Sequence, residues 1–213
     1  MNILVMTAVE VERDAVLRGL HNCSSFHVGI AGVGAASAAA RTATLLAAAP
    51  YDLVISAGIA GGFAGTAEIG SLVMADEIIA ADLGAQSADG FLSLDELGFG
   101  SSRIQVDREW PQRITEALQS AGLSVHTGPI LTVSTVTGST ATATELSKRI
   151  PGAAAEAMEG YGVAIAAQYG GVPFLELRAI SNPVGPRDRS AWRIQDALQA
   201  LQSASNVLME VLT

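Results

Sequence analysis

The stretch FHVGIAGVGAASAAARTATLLAAAPYDLVIS (residues 26–56) contains the pattern that decides the fold. The apolar run Phe26–Ile30 predicts a strand, and the small-residue segment Gly34–Ala49 predicts a helix that stops at Pro50. Leu53–Ser56 predicts a second strand. Both strands are continuously apolar and do not alternate with polar residues, which is typical of a sheet covered on both faces. The segment therefore predicts a strand–helix–strand unit of an α/β protein.

The same alternation extends along the rest of the chain. Further strands are predicted over residues 2–6, 72–79, 125–133 and 174–180, and further helices over residues 9–20 (capped by Thr7), 111–121, 142–149, 159–168 and 191–212. Residues 58–62 are predicted to form a glycine-rich turn, and residues 82–108 a long loop. We expect an α/β fold, a three-layer αβα sandwich with a central mixed β-sheet, in one domain spanning residues 1–213.

The composition excludes several classes of function. Twelve basic and 21 acidic residues give a net charge of −9, whereas binding to nucleic acid or to anionic lipid requires a basic surface. The single Cys23 excludes a disulfide framework and a multi-cysteine metal site, and the three histidines are scattered, so no metal or cofactor is expected. No apolar run is long enough to span a membrane, and nothing resembles a signal peptide. These features predict a cytoplasmic protein that acts on a small molecule.

The glycines at Gly29, Gly32 and Gly34 resemble a dinucleotide-binding turn only superficially. Their spacing is G-x-x-G-x-G, whereas that turn requires G-x-G-x-x-G between strand and helix. We interpret them as glycines that allow a tight turn and close helix packing. This interpretation disfavours an NAD-dependent oxidoreductase.

Charged residues at the ends of predicted strands and helices are more informative. Glu10 and Glu12 follow the first strand, where an open α/β sheet binds its ligands. Glu156 and Glu159 flank Met158 in an alanine-rich stretch. Arg178 lies within an apolar strand, so it requires a carboxylate partner or a ligand. The polar segment that follows it, residues 181–189, contains too many specific groups to be a simple connection.

These residues resemble the nucleoside phosphorylase/nucleosidase superfamily, in particular the branch of 5′-methylthioadenosine/S-adenosylhomocysteine nucleosidases. Four segments match in order across nearly the whole chain: Met6-Thr-Ala-Val-Glu-Val-Glu12, Ser56-Ala-Gly-Ile-Ala-Gly-Gly62, Ala157-Met-Glu-Gly160, and Val172-Pro-Phe174 with Arg178-Ala-Ile-Ser181. The resemblance implies that Glu12 is the general base that activates water. It also implies that Glu159 and Met158 bind the ribose, with Arg178 near the ribose and the nucleophile.

Two departures from the superfamily pattern bear on the reaction. Family phosphorylases bind phosphate with an arginine and a serine around the glycine-rich turn, where this chain has Ser56 and Ile59. Because isoleucine offers no side-chain donor, we expect water to be the nucleophile. Asn182 stands where adenosine-type nucleosidases have an aspartate. An amide can donate to O6 or N7 of a 6-oxopurine, so Asn182 favours hypoxanthine, or less strongly guanine, over adenine.

Within the superfamily, Ser181–Trp192 reads S-N-x-V-G-x-R-D-R-x-x-W and resembles the futalosine hydrolase branch. The resemblance implies release of hypoxanthine from futalosine, an inosine-like nucleoside with a carboxyphenyl ketone at its 5′ carbon, in the bacterial menaquinone route. Arg187 or Arg189, with Trp192 or the 82–108 loop, is the candidate site for the aryl carboxylate. Asp188 is either a leaving-group acid or a partner of a neighbouring arginine. Val136 and Thr137 are expected to form the other wall of the base pocket.

Three other functions remain open on the sequence. One is an adenosine-type nucleosidase acting on methylthioadenosine, against which Asn182 argues. A second is a purine nucleoside phosphorylase, against which Ser56 and Ile59 argue, and a third is a nucleoside sensor without turnover. The resemblance also implies a homodimer or a larger homo-oligomer in which a neighbouring copy closes the 5′ end of the pocket.

Overall fold

The computed structural model describes the whole chain, from Met1 to Thr213. Its strands are β1 (Ile3–Thr7), β2 (Phe26–Ile30), β3 (Leu53–Gly62), β4 (Leu72–Ala80), β5 (Gly84–Ser87), β6 (Gly90–Ser93), β7 (Arg103–Gln105), β8 (Val125–Thr132), β9 (Ala155–Ala157) and β10 (Phe174–Pro183). Its α-helices are α1 (Glu10–Gly19), α2 (Ala35–Ala48), α3 (Glu109–Ser120), α4 (Thr140–Arg149), α5 (Gly160–Tyr169) and α6 (Ile194–Leu212).

The main sheet is mixed and partly closed on itself. β3 pairs in parallel with β10, β10 is antiparallel to β4, and β4 is parallel to β8. β9 then joins β8 in parallel and returns to β3 in antiparallel orientation, so these five strands form a ring. β1 and β2 extend the sheet in parallel from β3, and β7 adds to β4. This is the central mixed sheet that the sequence predicts.

Helices cover both faces of the sheet, which makes three layers. α1, α3 and α6 pack together on one face, and α2 and α5 pack on the other. Successive residues of a strand point to opposite faces, so Ile3 and Val5 belong to the core under α1 and α6, whereas Leu4 and Met6 belong to the core under α2 and α5. Because both faces of the sheet are buried, β1 is apolar at every position and shows no alternation of apolar and polar residues.

Two local predictions from the sequence are wrong, and one strand was not predicted. Thr7 does not cap α1, because it is the last residue of β1 and the N-cap is Val9, where the Glu12 side chain accepts from the Ala8 and Val9 N–H groups. Residues 58–62 are not a turn, because β3 continues through them to Gly62. β9 is a strand that the sequence analysis did not predict, since it is only three residues long. Within the predicted 82–108 loop, β5 and β6 form a hairpin.

No α-helix of this fold combines the length and the apolarity that crossing a bilayer would require.

Candidate active site

A cavity of about 430 Å³ opens at the carboxyl ends of the parallel strands β1, β3 and β10. Clefts of this size, at this position in an α/β sheet, are where small ligands bind. The cavity brings together nine of the residues that the sequence analysis selected: Glu12, Ile59, Val136, Thr137, Met158, Glu159, Asn182, Arg187 and Trp192. Arg178 does not line the cavity; it is fully buried and forms an ion pair with the cavity residue Glu159.

Glu12 lies in the first turn of α1 and is held by backbone donors. Its Oε2 accepts from Ala8 N at 2.9 Å and Val9 N at 3.2 Å, and its Oε1 accepts from Ile59 N at 2.9 Å. The residue is only 3% exposed. Burial raises the pKa of Glu12, and the charge of Arg178 and the bond from Ile59 N oppose that rise. Ile59 thus contributes its backbone N–H to the site. The sequence analysis considered only its side chain and did not predict this role.

Gly58 separates Glu12 from Arg178. A Cβ atom at this position would lie 2.6 Å from Glu12 Oε1 and 2.7 Å from Arg178 Nη1, closer than real Cβ contacts allow. The glycine-rich end of β3 therefore lets two charged side chains approach each other across a backbone without a side chain. This close approach is the reason for glycine here, since the backbone is an ordinary strand and not a turn.

Arg178 is bound by a set of buried acceptors. Its Nε donates to Glu176 Oε1 at 2.8 Å, its Nη2 donates to Ser56 Oγ at 3.1 Å, and its Nη1 lies 3.4 Å from Glu159 Oε2. Glu176 and Arg178 are two residues apart on β10, so their side chains share one face of the strand. Burial alone would lower the pKa of Arg178, but the charges of Glu176, Glu159 and Glu12 raise it. The guanidinium is charged and holds the site carboxylates in place.

Glu159 lies at the start of α5, opposite Glu12. Its Oε1 accepts from Gly34 N at 3.2 Å, and its other oxygen faces Arg178. Gly34 has a φ of 91° and Gly32 a φ of 77°, a backbone conformation that favours glycine. The interpretation of these glycines as a tight turn before a helix is confirmed, and the turn also delivers a backbone donor to Glu159. Met158 precedes Glu159 and lines the cavity.

Asn182 lies at the end of β10, after an irregularity in the register between Ile180 and Asn182. Ser181 Oγ donates to Asn182 Oδ1 at 2.8 Å, and Asn182 Nδ2 donates to Pro183 O at 3.0 Å. An amide nitrogen carries two hydrogens, so one N–H of Asn182 is left for a ligand. The Ser181 bond orients the amide with its donor available.

The opposite wall is held by Glu156 on β9. Glu156 Oε1 accepts from Thr137 N at 2.8 Å, and Glu156 Oε2 accepts from the Thr137 hydroxyl. Burial raises the pKa of Glu156, which the two bonds from Thr137 oppose. The sequence analysis singled out Glu156 but gave it no role. A carboxylate between alanines in a buried strand was the signal that could have identified it.

At the cavity mouth, Arg187 stacks on Trp192, with its guanidinium carbon 5.2 Å from the ring centroid. Arg189 approaches the same ring at 5.9 Å but does not line the cavity. Asp188 is not available as a leaving-group acid, because it accepts from the backbone and hydroxyl of Ser190, and these bonds lower its pKa. Its partner is therefore a serine and not an arginine.

No group of three or more His, Cys, Asp or Glu side chains in the structure is arranged to hold a metal ion. The acidic residues of the cavity are bound to Arg178, to backbone N–H groups and to Thr137. The cavity presents carboxylates, an amide and backbone donors to a small molecule.

Comparison with known proteins gives the family. A model of the phosphorylase superfamily matches residues 12–213. A futalosine hydrolase of Streptomyces coelicolor is 53% identical over 232 aligned residues, covering 100% of this chain and 97% of the relative. A futalosine hydrolase of Acidothermus cellulolyticus is 49% identical, and the match covers 94% of this chain and 87% of the relative.

Among solved structures, the native futalosine hydrolase of Helicobacter pylori superposes with a TM-score of 0.84 at 18% identity. The superposition covers 98% of this chain and 97% of that one, and at this identity it supports the fold alone. The family model and the two close relatives support more than the fold. The chain belongs to the phosphorylase superfamily, in the branch that contains the futalosine hydrolases.

Proposed function

We propose that this protein hydrolyses the N-glycosidic bond of futalosine and releases hypoxanthine and dehypoxanthine futalosine. The observation that carries the proposal is one cavity in which the buried Glu12 and Glu159 lie near the free amide donor of Asn182. This arrangement combines a base for water, a carboxylate for the sugar and a donor for a 6-oxopurine. The close relatives named futalosine hydrolase support the same reaction.

Glu12 is the group that activates water. Three backbone N–H groups fix its carboxylate, two on Oε2 and one on Oε1, so Oε1 retains one acceptor position for a water hydrogen. Its raised pKa, caused by burial, makes it a stronger base for water than an exposed glutamate. A base positioned within hydrogen-bond reach of the attacking water contributes about 10²–10⁴-fold to such reactions. The water adds to C1′ of the ribose as it loses a proton to Glu12.

The transition state of this reaction carries positive charge on the sugar. Glu12 and Glu159 lie on the cavity side of Arg178, whose own charge is balanced by Glu176. Fixed negative charges around a developing cation stabilise it most when they are held in advance and shielded from water. Glu159 is held by Gly34 N and Arg178 before any ligand arrives, so it is preorganised to bind the ribose hydroxyls.

Asn182 stabilises the leaving base. Its free N–H can donate to O6 or N7 of hypoxanthine as electrons move from the broken C1′–N9 bond into the ring. Donation to N7 does not distinguish the two bases, but when the N–H donates at position 6, adenine presents an amino donor there and leaves the Asn182 N–H unpaired. An unpaired buried polar group costs about 1–3 kcal/mol, which favours the 6-oxopurine.

Phosphorolysis is disfavoured by the charges around the nucleophile position. Ile59 presents an apolar side chain there, and the nearby Glu12 and Glu159 repel a phosphate dianion. Arg178 is the nearest cation, but its guanidinium is bonded to Glu176 and Ser56 and faces Glu159. We therefore infer that water, and not phosphate, attacks the sugar.

Arg187 and Trp192 at the cavity mouth bind the 5′ substituent of futalosine in this proposal. The substituent is an aromatic carboxylate, and Arg187 stacked on Trp192 offers a cation beside an apolar ring. We also propose that the protein acts in the cytoplasm as a homodimer or larger homo-oligomer. Its net charge of −9 and single cysteine fit that location, and the exposed hairpin residue Leu92 and nearby Phe99 fit an interface between copies.

The proposal is tested by incubating purified protein with futalosine, inosine and methylthioadenosine and measuring free base by chromatography. We expect rapid release of hypoxanthine from futalosine and much slower release from inosine, which lacks the aryl carboxylate. Adenine released efficiently from methylthioadenosine would show instead that Asn182 does not select a 6-oxopurine. Binding of futalosine without release of hypoxanthine would identify a sensor and overturn the proposed activity.

A further inference from the structure

Glu176 is a buried carboxylate beside the site that does not line the cavity. Its Oε1 accepts from Arg178 Nε at 2.8 Å, and its Oε2 is buried without a hydrogen-bond partner. A buried oxygen without a partner costs free energy, and a buried ion pair is weak evidence for a gain in stability. Stability alone therefore does not explain a glutamate at this position of β10, and the geometry around it points to a role in the reaction.

The chain leaves space for this carboxylate at the start of α5. A Cβ atom at Gly160, the first residue of that helix, would overlap both carboxylate oxygens of Glu176. Any larger residue at position 160 would displace the carboxylate from Arg178. The same close approach places the carboxylate at a helix N-terminus, where the helix dipole stabilises negative charge. The helix and Arg178 thus both favour the ionised form of Glu176.

Two groups outside the cavity fix the orientation of Arg178. Glu176, two residues before Arg178 on β10, is paired with Ser56 of β3. Glu176 accepts from Nε and Ser56 accepts from Nη2 at 3.1 Å, and in a planar guanidinium these two nitrogens lie along one edge. Nη1 lies at the other end of the group, 3.4 Å from Glu159 Oε2. The two anchors therefore aim the remaining nitrogen at the carboxylates of the cavity.

The charge of Arg178 has two opposite effects on the reaction. Because Gly58 has no side chain, the guanidinium approaches Glu12 closely, and this attraction helps to hold the carboxylate in place. The same positive charge lowers the pKa of Glu12 against the effect of burial, so it makes Glu12 a weaker base. A cation in this position serves the reaction only if its charge is partly offset.

The charged groups around Glu12 come from β10 and from the start of α5. These groups are Arg178 and Glu159, whose charges act in opposite directions on the Glu12 carboxyl. β3 contributes the Ile59 N–H and no charge. Glu176 in turn faces Arg178 and Glu159. Since Glu159 is needed for the sugar, Glu176 is the carboxylate left to offset the charge of Arg178 from outside the cavity.

We propose that Glu176 is a positioning residue, which holds Arg178 against the site and offsets its charge so that Glu12 remains an effective base. The inference rests on the proposed function of the same site and deepens it, since it gives a role to a group outside the cavity. Glu176 has a structural alternative, which is to stabilise the fold through its bond to Arg178. The two roles differ because loss of a structural bond lowers stability without removing a charge that acts on Glu12.

The test compares the wild type with Glu176→Gln, which keeps the size of the side chain and a carbonyl for Arg178 Nε but removes the charge. Two quantities are measured across pH: kcat/KM on futalosine, and the NMR shift of the Glu12 carboxyl carbon in the ligand-free protein, assigned with Glu12→Gln. Without the charge of Glu176, Arg178 lowers the pKa of Glu12 further. Both profiles should therefore move to lower pH by about one unit, the lower end of the effect of a nearby charge. Near neutral pH, kcat should fall by roughly threefold to tenfold, because a weaker base removes the proton of water less readily.

Ser56→Ala is the matched control. It removes the acceptor of the other anchored nitrogen, Nη2, without changing a charge. We expect Ser56→Ala to lower kcat, because Arg178 is less well oriented, and to leave the titration of Glu12 at the pH of the wild type. If Glu176→Gln also leaves that titration unchanged, Glu176 has a structural role only and the proposal is overturned.

A second measurement applies if Glu176→Gln fails to fold. The proposal requires Glu176 to be ionised at neutral pH in the wild type, and NMR titration of its carboxyl carbon, assigned with Glu176→Asp, detects the charge. An ionised carboxyl supports the proposal. A Glu176 that is protonated at neutral pH would overturn it.

Failure of the proposed function and failure of this inference are distinguishable, because the titration of Glu12 requires no turnover. A wild type that releases no hypoxanthine from futalosine would contradict the proposed reaction, and the NMR titration would still decide whether the charge of Glu176 acts on Glu12. A wild type that hydrolyses futalosine, with Glu12 titrating at the same pH in Glu176→Gln, would contradict the role of Glu176 alone.

Discussion

The two ends of the cavity are built differently. At the inner end, Glu12 and Arg178 are 3% and 1% exposed, and each makes several bonds to other groups of the protein. At the mouth, Arg187 and Trp192 contact each other through a cation–π stack, and Arg187 is exposed whereas Trp192 is half-buried. The inner end is arranged before substrate binds, whereas the mouth can adapt to the group that it receives.

This difference assigns the reaction to the inner end of the cavity and the choice of substrate to its mouth. Charges that are fixed and buried act strongly on a developing transition state, since little reorganisation is needed. Charges at an exposed mouth are screened by water and contribute mainly to binding. Substitutions at the inner end should therefore lower kcat or stability, and substitutions at the mouth should raise KM.

The largest expected effect is that of Glu12→Gln on kcat. The amide is nearly the same size but cannot take a proton from water, so we expect kcat on futalosine to fall by about 10²–10⁴-fold. KM should change little, because the ribose, the base and the 5′ group keep their partners. Steady-state kinetics measures both constants. Circular dichroism that matches the wild type serves as the control for folding, and full turnover by this variant would exclude Glu12 as the base.

The next effect concerns stability. Glu176→Leu removes the acceptor of Arg178 Nε and leaves a buried guanidinium with less compensation. Breaking one side of a buried ion pair typically costs about 3–5 kcal/mol, and urea denaturation measures that loss directly. Glu176→Gln is the control, because its carbonyl can still accept from Nε and it should lose less. A change below about 1 kcal/mol for Glu176→Leu would mean that Glu176 does not secure Arg178.

The pH dependence of the wild type provides the third test. The pKa of Glu12 is raised above 4.5 by burial, and only the ionised carboxylate can act as a base. As the pH falls through this raised pKa, kcat/KM should drop by about tenfold per pH unit. The fall of kcat/KM on the acid side should therefore begin above pH 4.5, which is the ordinary pKa of a glutamate carboxyl. A profile that stays flat to below that pH would contradict a buried base.

Burial of the same carboxyl groups also affects stability. The pKa values of Glu12, Glu156 and Glu176 are all raised by burial. The folded state therefore holds protons that the unfolded state has lost in the window between pH 4.5 and the raised values. The contribution of these groups to the free energy of unfolding accordingly decreases as the pH rises through that window. Ligand-free denaturation curves on both sides of the window measure this slope.

The smallest expected effect lies at the mouth. Arg187→Ala should raise KM for futalosine by roughly tenfold, the equivalent of one charge-assisted hydrogen bond in partly exposed surroundings, and should leave kcat nearly unchanged. Arg189→Ala is the matched control, because Arg189 approaches the same ring but does not line the cavity. An unchanged KM in Arg187→Ala would remove Arg187 from the site of the aryl carboxylate.

Sequence patterns predicted the layers of the fold well, because most strands are continuous apolar runs flanked by helices. The predictions failed where the local sequence does not distinguish a strand from a turn or loop. β9 is too short to show a period, and the glycines of β3 suggest a turn although they serve a close approach of Glu12 to Arg178. Both segments pair with strands that are distant in the sequence, which a local pattern does not show.

Part of the site could be predicted from the positions of its residues along the predicted strands and helices. Glu12 and Glu159 lie at the starts of helices and Asn182 at the end of a strand, and the geometry of an α/β sheet brings such positions together. That Arg178 needs a carboxylate partner followed from its apolar surroundings, and Glu176 is that partner. The pairing of Glu156 with Gly61 was not predictable, because it depends on the register of a strand that the sequence did not reveal.

The most direct test of the account is product analysis of wild type and Glu12→Gln with futalosine, in the absence and presence of phosphate. The account predicts that the wild type yields hypoxanthine and the free sugar, dehypoxanthine futalosine, at the same rate in both buffers, and that Glu12→Gln yields almost none. A sugar 1-phosphate, or turnover that requires phosphate, would contradict water as the nucleophile and Glu12 as its base.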